Sequence, residues 1–339
     1  MIHSSPAHHG HNRKRGVSLD DYQHWRHTSI PVAIPSFRRE QQLCEQTLST
    51  LRRYLWDMST IHIFVDPVKR RADGSSEYDN YYHHLHQNGF HQVQVHPGGT
   101  GLSAQYNRIF EFFGHGKQVV LMSDMVPSFL WKRKASLQLE EFPEEKFIPL
   151  VRLAFDLCDE VQVRAWSLGP CKSVRNMIPG RISRKNGLLD GNCFGVTINK
   201  DSPLTLNGSD YTTDVEFSLK AWTLDGGAVR FLGISAQHEY RSLGGQASVG
   251  LQSAASREAD THKSISELSE AYPRLIKYWP KKRMTDRSMP YKFLPKGPAP
   301  LMLFGSYSLR GRRAQHGRPR TTRERVAKHR RLALGFSGR

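Results

Sequence analysis

Between Ile30 and Asp124 the sequence repeats one pattern: a short apolar run, a polar break, then a segment with helical spacing. "IPVAIPSF" (Ile30–Phe37) predicts a strand ending at Pro35. In the "REQQLCEQTLSTLRRYL" that follows, Leu43, Thr47, Leu48, Leu51 and Leu55 recur at helical period, which predicts a helix with one buried face. "IHIFVD" (Ile61–Asp66) is a second strand, and "YDNYYHHLHQNGF" a helix closed by Gly89. "HQVQVH" (His91–His96) is a third strand, "GLSAQYNRIFEFFG" a helix ended by Gly114, and "QVVLMSD" a fourth strand. Strands joined by helical crossovers must run parallel, so the pattern predicts an α/β fold with a mainly parallel sheet covered on both faces. Such sheets bind ligands outside the carboxyl ends of their strands. Asp66 and Asp124 both fall at carboxyl ends.

The second half changes style. "EVQVRAWSL" (Glu160–Leu168), "LDGNCFGVTIN" (Leu189–Asn199) and "AVRFLGISAQHEY" read as strands, and "TDVEFSLKAWTLDGG" as a helix ended by Gly226–Gly227. Residues 1–28 read as a polar, His-rich arm, residues 29–283 as the folded domain, and 284–339 as a proline-containing linker or wrap and a basic, unstructured tail. No apolar run approaches the ~20 residues that span a bilayer, and Met1–Arg15 lacks the apolar core of a secretory signal. A cytoplasmic protein is expected. Cys44, Cys158, Cys171 and Cys193 form no C-x-x-C pair, so reduced thiols are expected.

Charge narrows the choice of partner. The formal net charge is +18. Residues 310–339 hold eleven Arg and Lys against one acid, Glu324, a net +10 that leaves +8 for the rest. A polyanion is the natural partner for Arg310, Arg312, Arg313, Arg318, Arg320, Arg323, Arg325, Lys328, Arg330 and Arg331.

The ordered set "IPVAIPSFRR", "FVD", "GGTGLSAQYNRIF", "VVLMSD" and "TTDVEFSLKAWTLDGG" resembles the GT-A nucleotide-sugar glycosyltransferases over Ile30–Gly245. With "SLGGQ" and "AYPRLIKYW" it is most similar to the TET/JBP-associated, base J type DNA glycosyltransferases. The resemblance implies a Rossmann-like donor half, a mixed acceptor half, a UDP-linked sugar donor, and DNA carrying a hydroxymethylated pyrimidine as acceptor.

It also implies roles. Asp124 stands where the family holds Mn2+ or Mg2+ with Asp-x-Asp, although this sequence has only Ser123-Asp124-Met125 there and lacks a second acid. His238 stands where a metal-binding His often lies. Asp214, with Glu216 beside it, occupies the place of the general base, and Asp210 is a further candidate. Ser36, Phe37, Arg38, Asp66, Gly101, Gln105 and Asn107 fall where the donor is bound, while Lys172, Arg175 and Arg181 are candidates near the acceptor. Two other readings stay open from sequence. One is a glycosyltransferase for protein or surface glycan, and the other a non-catalytic nucleic-acid-binding protein on the same scaffold. The cluster His83, His84, His86 and His91 reads as surface.

Overall fold

The computed structural model describes residues 29–133, 136, 138–169, 177–238, 254–280, 290–294 and 301–302. In chain order the first half consists of β1 (Val32–Pro35), α1 (Glu40–Gln42), α2 (Ser49–Arg53), β2 (Ile61–Val65), α3 (Glu77–Gln87), β3 (Gln94–Pro97), α4 (Leu102–Phe112) and β4 (Gln118–Met122). The middle adds β5 (Phe129–Trp131), β6 (Glu140–Glu141), α5 (Phe147–Val161), β7 (Ala165–Leu168), β8 (Arg181–Ser183) and β9 (Cys193–Thr197). The remainder is α6 (Thr213–Asp225), β10 (Val229–Phe231), β11 (Ile234–Ala236), α7 (Ala254–Ala271), β12 (Ile276–Tyr278), β13 (Tyr291–Phe293) and β14 (Leu301–Met302).

Nine strands form the central sheet in the order β14-β8-β10-β7-β9-β4-β1-β2-β3. β3, β2, β1 and β4 are mutually parallel, as the repeated strand–helix pattern requires. β9 runs against both β4 and β7, and β8 against both β10 and β14, so seven of the nine strands share one direction. The fold is therefore the expected mixed α/β class with a mainly parallel sheet. β1 and β4 are buried on both faces apart from Gln118, which is why they read as continuous apolar runs rather than alternating ones. One core layer packs α1, α2, α3 and α5 on the sheet, around Leu43, Leu48, Tyr81 and Phe155; the other packs α4 and α6, around Tyr106, Ile109 and Phe217.

Several elements depart from the sequence reading, among them β3, which starts at Gln94 rather than His91. The helix expected after β1 is interrupted by a π-helical stretch, Leu43–Leu48, which keeps Leu43, Cys44, Thr47 and Leu48 buried. The strand expected from Glu160 starts only at Ala165, because α5 continues to Val161 and closes on Gln162 at φ +56°. The single strand expected over "AVRFLGISAQHEY" is two, broken at Gly233, where a Cβ would meet the Ile178 carbonyl at 2.9 Å and the Gly180 amide at 3.1 Å. β10 stays in the central sheet while β11 joins β5 and β6. Gly89 and Gly226 end their helices at φ +74° and +69°, as expected. Beyond residue 283, β13 pairs with β12 and β14 with β8. Among the described residues no helix is long and apolar enough to cross a membrane. Cys44, Cys158 and Cys193 are free and buried, and Cys171 lies outside the described residues.

Candidate active site at the carboxyl ends of the strands

The chain beyond β4 is held by hydrogen bonds rather than by a simple turn. Thr47, in the π-helical stretch, donates from Oγ1 to the Ser123 carbonyl (2.9 Å) and accepts from the Val126 amide (2.9 Å). Thr50 Oγ1 donates to the Pro127 carbonyl (2.7 Å). Between these clamps Asp124 turns inward and is only 4% exposed. Ser36 Oγ, just past β1, donates to Asp124 Oδ2 (2.6 Å), and Arg39 Nη1 reaches Oδ1 at 3.2 Å. Tyr81 of α3 completes the network: its hydroxyl shares a 2.6 Å hydrogen bond with Ser36 Oγ and accepts from the Arg39 amide (3.1 Å). Burial raises the Asp124 carboxyl above its ordinary value, against the opposing pull of Arg39 and Ser36. This carboxylate is therefore under-compensated where it stands.

The neighbouring strand ends supply the rest of this surface. Phe37 is buried, with the Arg38 guanidinium 5.0 Å and the Lys69 ammonium 5.1 Å from its ring centre. Arg38 adopts φ +54°, a left-handed conformation that turns the chain away from β1. Asp66 Oδ1 accepts from the amides of Val68 (2.9 Å) and Lys69 (3.1 Å) and so shapes the loop after β2. Gln105 Nε2 donates to the Ser36 carbonyl (3.3 Å), tying α4 to the same spot. Gly101 sits at φ +89°, where a Cβ would strike the Asp210 carboxylate. That carboxylate accepts from the Ser103 amide (3.1 Å) at the start of α4, so Asp210 caps a helix.

Asp214, in the first turn of α6, is half-buried; desolvation raises its carboxyl to about 6, despite an opposing 2.8 Å bond from the Val215 amide. Burial pushes the Tyr106 phenol up, and Asp214, Asp190 and Asp124 push it further in that order. The Tyr106 hydroxyl is thus the point where three carboxylates meet electrostatically. A Cβ on Gly191 would lie 3.5 Å from the Asp214 Cβ and 4.0 Å from that hydroxyl, so Gly191 is where the chain passes close to both.

Other candidates have different employment. Glu216 is 3% exposed and accepts from the amides of Asn207 (3.0 Å) and Gly208 (2.7 Å), with Lys220 at 2.7 Å. Its carboxylate anchors a loop and has no capacity left for a proton from substrate. Asn107 donates to the Leu206 carbonyl and accepts from the Leu206 amide, both at 2.8 Å. It lines a cavity of about 280 Å³ with Phe110, Ile198 and Leu204. That cavity adjoins Thr197, which pairs with Gln118 at the amino end of β4, the end opposite Asp124. Arg181 lies in β8. Lys172, Arg175 and the basic residues from Arg310 to Arg331 lie outside the described residues.

His238 follows β11 closely. The preceding Gln237 donates its amide to the Ser128 carbonyl (2.8 Å) and accepts from Ser128 Oγ (2.6 Å), which draws this segment toward the chain beyond Asp124. Among the described residues no group of three His, Cys, Asp or Glu side chains is arranged to hold a metal ion. Asp124 offers a buried hard oxygen at the carboxyl end of β4. That donor suits Mn2+ or Mg2+ when the remaining ligands are phosphate oxygens and water.

Sequence reasoning missed Arg39, Tyr81, Tyr106 and Asp190. Arg39 carried a signal, since it directly follows the first strand and its turn. Tyr81 and Tyr106 look like ordinary apolar positions on helices, and nothing in spacing marks their hydroxyls.

No family model matches the chain, and no curated protein matches it. Solved structures similar to it include S. aureus TarS in complex with UDP-GlcNAc, at 11% identity and TM-score 0.44 over 71% of this chain and 67% of that one. Another is the mannosyltransferase PcManGT from Pyrobaculum calidifontis with GDP-Man and Mn2+, at 10% identity and TM-score 0.40 over 75% and 70%. A third is glucosyl-3-phosphoglycerate synthase from Mycobacterium tuberculosis with Mn2+, UDP and glucosyl-3-phosphoglycerate, at 10% identity and TM-score 0.41 over 85% and 95%. These values assign the chain to no family.

Proposed function

We propose that the chain is a GT-A glycosyltransferase that moves a sugar from a nucleotide-sugar, UDP-linked, to the hydroxymethyl group of a modified pyrimidine in DNA. The observation that carries this reading is the presence of two unlike carboxylates, Asp124 and Asp214, that both act on the Tyr106 hydroxyl. Asp124 is buried and latched to Ser36 and Arg39, while Asp214 is raised to about 6 at a helix start. An anchored acid beside the strand ends suits a diphosphate site. An acid tuned toward neutrality suits a general base.

Ser36, Phe37, Arg38, Asp66, Gly101 and Gln105 are assigned to the donor, and Arg39 joins them. Asp124, with His238, is the assigned metal position; when bound there, Mn2+ or Mg2+ supplies Lewis-acid neutralisation of the leaving diphosphate. Asp214 takes the proton of the acceptor hydroxyl as its oxygen bonds to the sugar's anomeric carbon. The bond from that carbon to the diphosphate breaks, and the nucleoside diphosphate leaves with the electron pair. Glu216 and Asn107 are assigned to the scaffold. A base stacked in duplex DNA is out of reach, so the acceptor base is flipped or unpaired.

The donor half is tested by calorimetric titration with UDP and UDP-sugars, with and without Mn2+. Saturable binding is expected, together with slow hydrolysis of a UDP-sugar when no acceptor is present. A chain that binds no nucleoside diphosphate under either condition overturns the reading.

A further inference from the structure

The hairpin of β12 and β13 has two unlike faces. Ile276 pairs with Phe293 and Tyr278 with Tyr291, and these four pack into one apolar cluster with Val215 and Leu219 of α6. Side chains alternate across a strand, so Lys277 and Lys292 point the other way. They are direct cross-strand partners, and both are exposed. Like charges placed opposite each other destabilise a sheet. Among the described residues neither lysine makes an ion pair that would offset this. Trp279, two residues past Lys277 and on the same face, is 52% exposed, with the Lys277 ammonium 5.4 Å from its ring. In sequence Lys281, Lys282 and Arg283 follow at once.

The indole offers Lys277 a cation–π contact, but the opposed lysine pair itself only costs the folded chain stability. A phosphodiester strand gains from both. The two ammonium groups meet phosphates, and the indole face offers a base something to stack on. We infer that the outer face of this hairpin, through Lys277, Lys292 and Trp279, is a docking surface for a single nucleic-acid strand. In sequence this surface lies apart from the basic stretch 310–339. Its opposite face packs on Val215 and Leu219 of α6. The inference rests on the reading of DNA as the acceptor and assigns a further surface to that partner.

The test is anisotropy of a labelled, unmodified oligothymidine, without donor, across a salt series, using the full chain. Lys292→Glu replaces the like-charge pair with an attractive one. It is expected to raise the melting temperature while weakening binding and lowering the salt slope by at least about 0.7. Trp279→Ala is expected to weaken binding about 5- to 150-fold at all salts, with the fold unchanged. Wild-type affinity in both variants overturns the inference and leaves the proposed transfer reaction standing. Sensitivity to Lys292→Glu alone, with polyglutamate competing as well as the strand, assigns the surface to an acidic protein and also overturns it. A wild-type chain that binds no strand overturns both the inference and the DNA acceptor.

Discussion

Asp124 and Asp214 are both carboxylates lifted by burial, but they answer to different partners. Asp124 meets a hydroxyl and a guanidinium, whereas the Asp214 carboxylate accepts from the Val215 backbone amide. A carboxyl whose folded pKa is raised prefers its proton in the native state, so ionised Asp124 costs stability as pH rises through that value. Asp124→Asn removes the charge and keeps an acceptor for Ser36. Transfer is expected to fall by at least about 10²-fold, while the melting temperature at pH 7 holds or rises. A melt that drops sharply with activity preserved would make Asp124 a structural residue. For Asp214, kcat/KM is expected to rise with pH through about 6 as the base loses its proton. Asp214→Asn should lower turnover by about 10²–10⁴-fold, remove that limb of the pH profile and leave donor binding intact. Retained turnover in Asp214→Asn, with loss in Asp210→Asn, would move the base to Asp210.

At the scale of the element, the parallel strands of the first half carry a titratable pair. His62 in β2 and His96 in β3 lie 2.9 Å apart, ring nitrogen to ring nitrogen, with their rings stacked and His96 also stacked on Phe64. Burial, then His96 and Lys117, lower His62 to about 4, and burial with Arg108 lowers His96. Both are neutral when folded, so the stability they allow is complete above about 6.5. It is lost as pH falls from there toward 4, because the unfolded chain takes up protons first. His62→Gln is expected to flatten this loss, measured by urea unfolding at pH 7 and pH 4.5. An identical pH dependence in the variant would sink the assignment. β2 was legible as an apolar run ending at Asp66, and β3 as an alternating segment between Gly89 and Gly98. α5 was not, because Phe147, Ile148, Leu150 and Val151 form a continuous buried run at its start, and the polar stripe of Arg152, Asp156 and Asp159 begins only after it. The break at Gly233 depends on the distant Ile178–Gly180 segment, which no local pattern reveals.

On the scale of the whole molecule, the proposed chemistry and the excess charge occupy different parts of the chain. Residues 310–339 hold +10, whereas the proposed donor and base residues fall between Ser36 and His238. Truncation before Arg310 is expected to weaken DNA binding and flatten its salt dependence, each lost phosphate contact removing about 0.9 from the slope on duplex DNA. Turnover at saturating DNA should survive; its loss would mean that the tail enters the site. The two carboxylates were legible because strand ends and helix starts can be read locally. The Ser36–Tyr81–Arg39 latch was not, because it joins α3 to the turn after β1 only once the sheet has formed. The central claim is sugar transfer to a modified base, and mass spectrometry of nucleosides tests it most directly. Hydroxymethylated and plain DNA would each be incubated with the protein, Mn2+ and a panel of nucleotide-sugars, then digested. The account predicts a glycosylated hydroxymethylpyrimidine nucleoside from the modified DNA, absent from plain DNA and from reactions with Asp214→Asn. Unchanged nucleosides with every donor, while the same protein glycosylates a protein or glycan acceptor, would contradict it.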